Sequence, residues 1–441
     1  MEPRIITRQE HTVSRRDIDE NAKKVLYRLQ SKGFIAYLAG GCVRDLMLGR
    51  KPKDFDIATN ATPQQIRKNF SNCRLIGRRF RLAHIHYGDD VLEVATFRAE
   101  VPEGENHDHK HMTVEDGLVV RDNTWGTPEE DARRRDFTIN ALFYDISDFT
   151  VIDYVEATED LEKRLIRSIG DPNVRYIEDP VRMLRAVRFA STLDLQIGEE
   201  EYAAIIQHRH HLLNAAPPRL YEEFLKFMYS GASESAFDLL METGLMQILF
   251  PEWSQWLETQ ASEEDKTWVR EAFIQMDKWK KAGHQVNGPL LYALMFGSYH
   301  EFLAKPAIEA GTPVFHASSH AISAHHDRLR EIVSMPRRQM TQMSNITAAQ
   351  YRFGRTRGKA PVRFAERTFF PDAVIYFKFS SRVKGGDQET IDWWNGFLKE
   401  NKQFLIRKDP PAKAKAQRKR GGRSRRGRGP RKHFDKPATE S

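Results

Sequence analysis

Residues 34–57, FIAYLAGGCVRDLMLGRKPKDFDI, constrain the fold more than any other part of the chain. The short apolar run FIAYLA predicts a β-strand that ends at a Gly-Gly pair, and CVRDLML predicts a short helix closed by Gly49. The preceding NAKKVLYRLQSKG has helical apolar spacing and stops at Gly33. Further on, FRLAHIHY and VLEVATF flank GDD, which is typical of a β-hairpin. This region therefore predicts a small mixed sheet with helices.

The pattern changes at about residue 156 to helical segments separated by Pro and Gly, such as EDPVRMLRAVRFAST, PRLYEEFLKFMYSG and GPLLYALMFG. No fixed repeat appears, so a solenoid is not supported. A chain of 441 residues is too long for one core. We expect an extension at 1–20, an α+β head at 21–155, a helical neck at 156–235, a helical body at 236–405 and a basic tail at 406–441.

Composition excludes several classes of protein. Cys42 and Cys73 are the only cysteines, which gives neither a disulfide framework nor a zinc site. No window of about 18 apolar residues occurs, and the first residues lack the apolar centre of a signal peptide. We therefore expect a soluble cytoplasmic protein, with a monomer as the default state.

The positive charge is concentrated near the C-terminus. Residues 413–432 carry eleven Lys or Arg and no acid; with a net charge of +8, the rest of the chain sums to 8 minus 11, or −3. Such a run cannot bury apolar surface, so we expect a disordered arm that attracts polyphosphate through counterion release. A merely solubilising terminus is the alternative, and the interleaved Gly and Arg favour nucleic acid.

The segment DFDI carries two aspartates one residue apart. In a strand, Asp54 and Asp56 would face the same side while Phe55 and Ile57 enter the core. Two carboxylates on one face repel each other unless a cation lies between them, and magnesium suits such oxygen ligands. Glu93, inside the apolar run of LEVATF, is the candidate third acid on a neighbouring strand. A polar turn is the alternative, since such pairs are common in turns.

The Gly-Gly pair strengthens the metal interpretation. Gly40 and Gly41 lie between strand and helix, where absent side chains let backbone amides approach phosphate oxygens, and Arg44 follows one turn later. The segment matches neither the dinucleotide fingerprint nor the P-loop. A tight turn alone is the alternative.

The motif GGCVRDLMLGRKPKDFDI resembles the signature of the nucleotidyltransferase branch that contains bacterial poly(A) polymerases and the class II CCA-adding enzymes of tRNA. The motifs LEVATFR, RRRDFTINAL, RLIRSIGDP, RYIEDPVRMLRAVRFA and PPRLYEEFLK follow in the order typical of that branch. The resemblance covers roughly residues 20–255. It implies a small mixed-sheet, polymerase beta-like nucleotidyltransferase head followed by all-helical neck and body domains.

The resemblance also implies roles for the matching positions. Asp54, Asp56 and Glu93 would hold two Mg²⁺ ions, with Mn²⁺ as an alternative, and Gly40, Gly41 and Arg44 would bind the triphosphate. Arg135 would support phosphate, while Asp136 and Asn140 would address the ribose. Asp179, Arg182 and Arg185 in EDPVRMLR belong to the motif that reads the base.

Asp179 and Arg182 are three residues apart, which on one helix would place an acceptor beside a fork of donors. Adenine and cytosine present an amino donor next to a ring-nitrogen acceptor, whereas guanine and uracil place a carbonyl oxygen where the amino group would be. We therefore expect use of ATP or CTP and rejection of GTP and UTP. A structural salt-bridge network is the alternative, and Glu178 and Arg188 fit that support role as readily as direct contact.

Three functions are compatible with these motifs. Poly(A) polymerase activity is favoured because GRRFRLAHIHY and the C-terminal half, including MPRRQMTQM and IDWWNGFLKEN, resemble the polyadenylating branch. CCA addition to tRNA is the enzymatic alternative, and an RNA-binding protein is the non-enzymatic one. The expected partners are ATP, RNA 3′ ends of mRNA fragments, small RNAs or defective tRNA, and RNA-decay proteins.

Two histidine groups and a tryptophan pair are weaker candidates. His107, His109 and His111 could bind a metal, although polar loops collect histidine. His325, His326 and Asp327 are similar to the dyad of metal phosphohydrolases, but surface histidines on an RNA-binding helix are the favoured interpretation. For Trp393 and Trp394 we expect one core residue and one packing residue, with RNA stacking as the alternative.

Overall fold

The computed structural model describes residues 2–77, 81–99, 112–115, 118–122 and 125–406. Within this part of the chain the fold is α+β, as the sequence predicts, with a mixed sheet near the N-terminus and helices after it. The strands are β1 Arg4–Ile6, β2 Ala36–Ala39, β3 Ile57–Thr59, β4 Cys73–Ile76, β5 Leu82–Tyr87, β6 Asp90–Thr96, β7 Met112–Glu115, β8 Leu118–Asp122, β9 Phe143–Asp145, β10 Thr150–Asp153, β11 Leu165–Ile166 and β12 Gln196–Ile197.

One sheet of eight strands has the order β1-β10-β9-β2-β3-β6-β5-β4. Its neighbours are antiparallel except for β3 and β6, which run parallel and place the start of β3 beside the middle of β6. The predicted hairpin is confirmed: β5 and β6 pair across a turn at Gly88, where φ is +63°. The first strand, in the predicted N-terminal extension, forms one edge of this sheet.

The first two helices end within two residues of the predicted stops at Gly33 and Gly49. The first is capped by Asp19, whose carboxylate accepts hydrogen bonds from the amides of Asn21 and Ala22. The helices are α1 Glu20–Ser31, α2 Gly41–Met47, α3 Pro63–Asn69, α4 Pro128–Arg133, α5 Ala157–Glu162, α6 Pro172–Glu178, α7 Val181–Leu193, α8 Glu199–His208, α9 Pro217–Met228, α10 Ser233–Glu242, α11 Leu245–Leu249, α12 Pro251–Thr259, α13 Glu263–Lys281, α14 Gly288–Glu309, α15 Val314–Leu329, α16 Arg337–Ala348, α17 Ala360–Ala365, α18 Phe370–Lys384 and α19 Gln388–Glu400.

The apolar core is continuous from the sheet into the helices. Buried side chains extend from α1 and β2 through α7 and α9 to α14 and α16, and the first half of α14 is buried on every side. A second, aromatic cluster lies under α18 and α19. There Trp394 is buried and donates its indole N–H to the carbonyl oxygen of Phe353 at 2.7 Å, while Trp393 is partly buried against it. The expectation of one core and one packing tryptophan is therefore confirmed.

The interpretation of His325 and His326 as surface residues is wrong. Both are buried, because α15 packs against α14 and α16, and Nδ1 of His325 shares a hydrogen bond of 3.0 Å with Nε2 of the buried His300. Burial lowers the pKa of His325 to about 4, with the charge of Glu252 opposing the shift. The pair is a neutral core contact.

Two further predictions lie outside the described residues, namely the loop with His107, His109 and His111 and the basic arm at 413–432. Among the residues that are described, no helix combines the length and the apolar content needed to cross a membrane.

Candidate active site

The two aspartates of DFDI lie just before β3 and not within it. Asp54 is in a bend and Asp56 is the last residue before the strand begins at Ile57, so the prediction that one strand holds both is wrong. The neighbouring strand β2 explains the difference. It ends at Ala39, whose amide donates to the Asp56 carbonyl at 3.0 Å, and the chain then turns away at Gly40. No ladder partner therefore remains for Asp54 on that side.

Glu93 lies next to Asp56, as the sequence predicts. Strands β3 and β6 are parallel, and Ile57 pairs with Val94. The residues just before this pair, Asp56 and Glu93, are therefore neighbours. Although solvent reaches the Asp56 side chain, the surrounding protein desolvates its carboxyl and raises its pKa, and the negative charge of Glu93 adds to the shift. The carboxylates of Asp56 and Glu93 therefore repel each other, and the positive charge of Arg135 offsets part of this repulsion.

The fit of a metal ion can be tested on these residues. In the described residues, no three His, Cys, Asp or Glu side chains are close enough together to hold an ion on their own. Asp54 is directed outward, three-quarters exposed (75%), with the ammonium of Lys53 at 3.6 Å. This leaves Asp56 and Glu93 as adjacent oxygen donors. Magnesium commonly binds one or two carboxylates and completes its shell with water and substrate phosphate, so the pair fits this ion.

Gly40 is required by two features of its surroundings. Its φ is +74°, and a β-carbon there would lie 2.5 Å from Nη1 of Arg135. Its amide donates to the carbonyl of Leu142 at 2.9 Å, so this N–H is already bonded. Gly41 begins α2, where the first amides lack acceptors within the helix. Of the two predicted phosphate-binding glycines, Gly41 is thus the one whose N–H can meet a ligand.

A chain of hydrogen bonds joins α2 of the head to α7. Asp45 fixes the Arg44 guanidinium at 2.7 Å, and Arg44 donates from Nη1 to Oδ1 of Asn140 at 2.5 Å. Asn140 donates from Nδ2 to Oδ1 of Asp136 at 3.1 Å, and Arg185 contacts Oδ2 of Asp136 at 2.5 Å. The structure therefore brings together residues that the sequence assigns separately to phosphate, ribose and base.

Asp136 is held as a carboxylate by this chain. Burial opposes its ionisation, but the Arg185 charge and the hydrogen bonds from Asn140 and the Phe137 amide outweigh burial, so the Asp136 pKa is lowered. The Arg185 pKa is raised in turn, because the Asp136 charge outweighs the desolvation of the guanidinium. The pair links the head to the first long helix that follows it.

Asp131 is a site residue that the sequence analysis missed. It is buried, accepts from Nη2 of Arg135 at 3.0 Å and contacts Nε of Arg98 at 3.4 Å. Burial opposes its ionisation, and the two guanidinium groups nevertheless lower its pKa. The spacing of four residues between Asp131 on α4 and Arg135 just after this helix was the available signal. Asp131 fixes the arginine that closes over Gly40.

Asp179 and Arg182 do not share one helix, which corrects the predicted arrangement. Asp179 ends α6 with φ at −142°, and Pro180 precedes the start of α7, so Arg182 belongs to the next helix. Proline disfavours helical backbone in the residue before it, which explains the break. The two residues remain adjacent, because the Arg182 amide donates to the Asp179 carbonyl at 3.0 Å.

The side chains at this break carry two unsatisfied polar atoms. Oδ1 of Asp179 and Nη1 of Arg182 are buried, and neither has a hydrogen-bond partner among the described residues. The other Asp179 oxygen accepts from Arg219 at 3.0 Å, and Glu178 lies 3.7 Å from Arg182 Nη1, beyond hydrogen-bond range. Burial and the neighbouring Arg175 lower the Arg182 pKa. One buried acceptor and one buried donor of this motif are therefore left without a hydrogen-bond partner among the described residues.

Support for this motif comes from α9, which the sequence analysis did not assign to the site. Arg219 fixes Asp179, and the buried Glu223 accepts from Nε of Arg188 at 2.6 Å. Arg188 therefore has a structural partner on α9, and Glu178 has a separate one, since it accepts from Arg175 at 3.0 Å. These partners come from a distant segment, so no local pattern could have identified them.

Family models match three parts of the chain. They are described as the poly A polymerase head domain at residues 36–167, the probable RNA and SrmB-binding site of polymerase A at 194–257, and the polymerase A arginine-rich C-terminus at 310–433. The poly(A) polymerase I of Salmonella typhi is 42% identical over 397 residues, which cover 89% of this chain and 85% of that protein. The CCA-adding enzyme of Lactobacillus helveticus is 36% identical over 231 residues, or 52% of this chain and 55% of that enzyme.

The solved CCA-adding enzyme of Bacillus stearothermophilus in complex with CTP has the same fold. It superposes with a TM-score of 0.59 over 88% of this chain and 84% of that chain, at 22% identity. The mixed-sheet head with its carboxylates, followed by the helical region, defines a nucleotidyltransferase. The chain belongs to the poly(A) polymerase family, whose members are polynucleotide adenylyltransferases.

Proposed function

We propose that this enzyme adds AMP from ATP to RNA 3′ ends without a template and releases pyrophosphate, and that the added tail promotes decay of the RNA. The observation that carries the proposal is the unsatisfied pair at the start of α7. Asp179 Oδ1 and Arg182 Nη1 offer one acceptor and one donor, and neither is used by another residue in the described part of the chain. A buried unsatisfied atom costs about 1 to 3 kcal/mol, and a base that supplies the missing partners recovers it.

Adenine satisfies both atoms with its amino group and ring nitrogen. Guanine and uracil would place a carbonyl oxygen against the Asp179 oxygen, leaving a buried charge facing an acceptor, which is strongly disfavoured. Cytosine has the same donor and acceptor order as adenine. The pocket therefore selects A and C over G and U, and restriction to adenine requires something besides this pair.

The remaining residues position the reacting groups. The 3′-oxygen of the RNA attacks the α-phosphorus of ATP, a new phosphodiester bond forms, and the bond to pyrophosphate breaks. Asp56 and Glu93 would hold Mg²⁺, and Asp54, which is directed outward in this structure, would have to turn toward them to help hold a second ion. The two ions would supply activation of the hydroxyl and neutralisation of the phosphate charge. Arg44 and Arg135 are fixed by Asp45 and Asp131, so they meet the triphosphate without reorganisation.

Adenylation is favoured over CCA addition because the similarity to poly(A) polymerase I extends over 89% of the chain and that to the CCA-adding enzyme over 52%. The arginine-rich C-terminal model at 310–433 lies beyond the shared half. CCA addition remains the second candidate, because the side chains of Asp179 and Arg182 can pair with cytosine as well as with adenine. The basic arm is proposed to hold RNA such as mRNA fragments, small RNAs or defective tRNA, in a monomeric enzyme of the cytoplasm.

A primer-extension assay with magnesium tests the proposal. An unstructured RNA and a tRNA without its 3′ end are each supplied with ATP, CTP or both. We expect long A-tails on the unstructured RNA with ATP alone. Addition limited to C, C and A on the tRNA would establish the second candidate. Asp56→Ala and Asp54→Ala should abolish extension while RNA binding persists, and a wild-type protein that binds RNA without extending it would leave only an RNA-binding function.

A further inference from the structure

A histidine faces the candidate metal-binding glutamate across the β5–β6 hairpin. His84 and Glu93 are directly paired in the antiparallel register, and His84 Nε2 lies 3.3 Å from Glu93 Oε1. Directly opposite side chains on one face of an antiparallel pair of strands are close enough to interact. The contact therefore follows from the backbone register and does not depend on a flexible loop.

His84 and Glu93 differ in how much of each side chain is exposed to solvent. The His84 side chain is largely buried, with 21% exposed, whereas the Glu93 side chain is half exposed. The Nε2 atom itself is buried, and among the described residues it lacks a well-aligned hydrogen-bond acceptor, since the Glu93 oxygen at 3.3 Å is close enough for an ion pair but poorly aligned for a hydrogen bond. A buried donor without an acceptor is costly. A small rotation of the Glu93 carboxylate would satisfy it.

The geometry points to His84 as a positioning residue that acts through Glu93. Once the Glu93 carboxylate rotates, the His84 Nε2–H would donate to one carboxylate oxygen and leave the other oriented toward a metal ion beside Asp56. The inference rests on the proposed function, because it takes Glu93 to be a metal ligand. Carboxylates that bind metals are commonly oriented by an outer hydrogen bond, and loss of that bond typically lowers metal affinity or activity by roughly tenfold to a hundredfold.

The same strand contains a matched control. His86 lies two residues further on the same face, its ring centroid is 6.4 Å from that of His84, and it pairs with Val91 instead of an acid. Both histidines are partly buried, while Ala83 and Ile85 between and beside them face the core. A purely packing role would make the two histidines equivalent.

Three variants separate positioning from packing. His84→Phe keeps a ring but removes the donor, His84→Gln keeps a donor, and His86→Phe repeats the ring change opposite Val91. We expect His84→Phe to lower kcat about tenfold, the lower end of the range because Glu93 is half exposed, and to raise the magnesium concentration for half-maximal rate by a similar factor. The KM for the RNA should be unchanged. His84→Gln should recover most of the loss, and His86→Phe should behave as wild type.

Binding of Mn²⁺ in the presence of an unreactive ATP analogue, followed by the electron paramagnetic resonance of the free ion, gives a readout without turnover. Weaker Mn²⁺ binding in His84→Phe than in His86→Phe supports the positioning role. Equal binding and equal kcat in these two variants overturn it, provided that both unfold at the wild-type temperature. If His84→Phe fails to fold, the comparison of His84→Gln with wild type decides: loss of Mn²⁺ binding there overturns the donor role. A wild-type enzyme that adds no nucleotide would instead overturn the proposed function.

Discussion

The guanidinium of Arg135 occupies the space that a side chain at Gly40 would need. A β-carbon on Gly40 would be 2.5 Å from Arg135 Nη1 and 3.3 Å from the carbonyl oxygen of Asn140. Arg135 donates to that same carbonyl at 3.1 Å and is held from the other side by Asp131. The glycine that follows β2 and the arginine that follows α4 therefore depend on each other, although they are far apart in sequence.

Gly40→Ala should destabilise the head. The backbone of Gly40, with φ +74° and ψ −127°, is rarely adopted by a residue with a β-carbon and costs about 1 to 3 kcal/mol there, and the displacement of Arg135 adds to it. Chemical denaturation should show a lower free energy of unfolding. Gly41→Ala is the matched control for stability, because its φ is not positive and the nearest atom to its β-carbon would be 3.6 Å away. An equal loss of unfolding free energy in Gly40→Ala and Gly41→Ala would contradict the close contact between Gly40 and Arg135.

The basic arm gives a prediction that depends on sequence alone. Deleting residues 411–441 should weaken RNA binding and flatten its dependence on salt, because about 0.7 counterions are released for each phosphate neutralised on a single strand. Filter binding between low and moderate salt measures the slope, and extension rates at saturating RNA should be unchanged. Deleting only 433–441, which carry one Lys and two acids, is the control. An unchanged slope after the longer deletion would refute the role of the arm.

Much of the site could be found from sequence because its motifs are local. The strand, the Gly-Gly pair and the neighbouring Glu93 follow from hydrophobic pattern and turn signals. The placement of Asp54 and Asp56 inside a strand failed because the end of a strand depends on its partner, here β2. The assignment of Asp179 and Arg182 to one helix overlooked the effect of Pro180 on the residue before it.

Residues that depend on distant packing could not be found in this way. Arg219 and Glu223 belong to α9, more than thirty residues from the motif that they support. The burial of His326 follows from two helices that pack around α15, and no pattern within α15 reports it. Similarly, His84 meets Glu93 through the register of a hairpin, which the turn at Gly88 sets. The sequence indicates these side chains but not their partners.

The ion pair between Asp136 and Arg185 should make stability depend on pH in the acid range. The Asp136 pKa is lowered in the folded protein, so its contribution is complete above the unfolded value of about 3.9 and is lost as the pH falls through the lower folded value. Asp136→Asn removes the charge and leaves Arg185 unpaired, which should cost about 3 kcal/mol at neutral pH. The difference from wild type should shrink below about pH 4.

Denaturation of wild type and Asp136→Asn at several pH values between 7 and 3 measures this difference. Asp327→Asn is the control, because Asp327 is exposed and its nearest guanidinium, that of Arg330, is 3.9 Å away. It should differ little from wild type at any pH. A gap between wild type and Asp136→Asn that stays constant down to pH 3 would show that the carboxylate is not held ionised by Arg185.

Asp179→Asn should relax the selection of the base. Oδ1 of Asp179, which has no partner among the residues that the structure describes, can only accept, whereas an asparagine amide can turn its donor toward the carbonyl oxygen of guanine or uracil. Because a site that hydrogen-bonds its substrate discriminates through such unpaired groups, the ratio of kcat/KM for ATP to that for GTP should fall by at least about tenfold.

Asp171→Asn at the opposite end of α6 is the matched control, since Asn and Asp cap a helix equally well. Competition between ATP and GTP in the primer-extension assay gives both ratios. If Asp179→Asn lost activity toward both nucleotides in proportion, Asp179 would support the pocket without reading the base, and the selection would have to come from Arg182 and its neighbours.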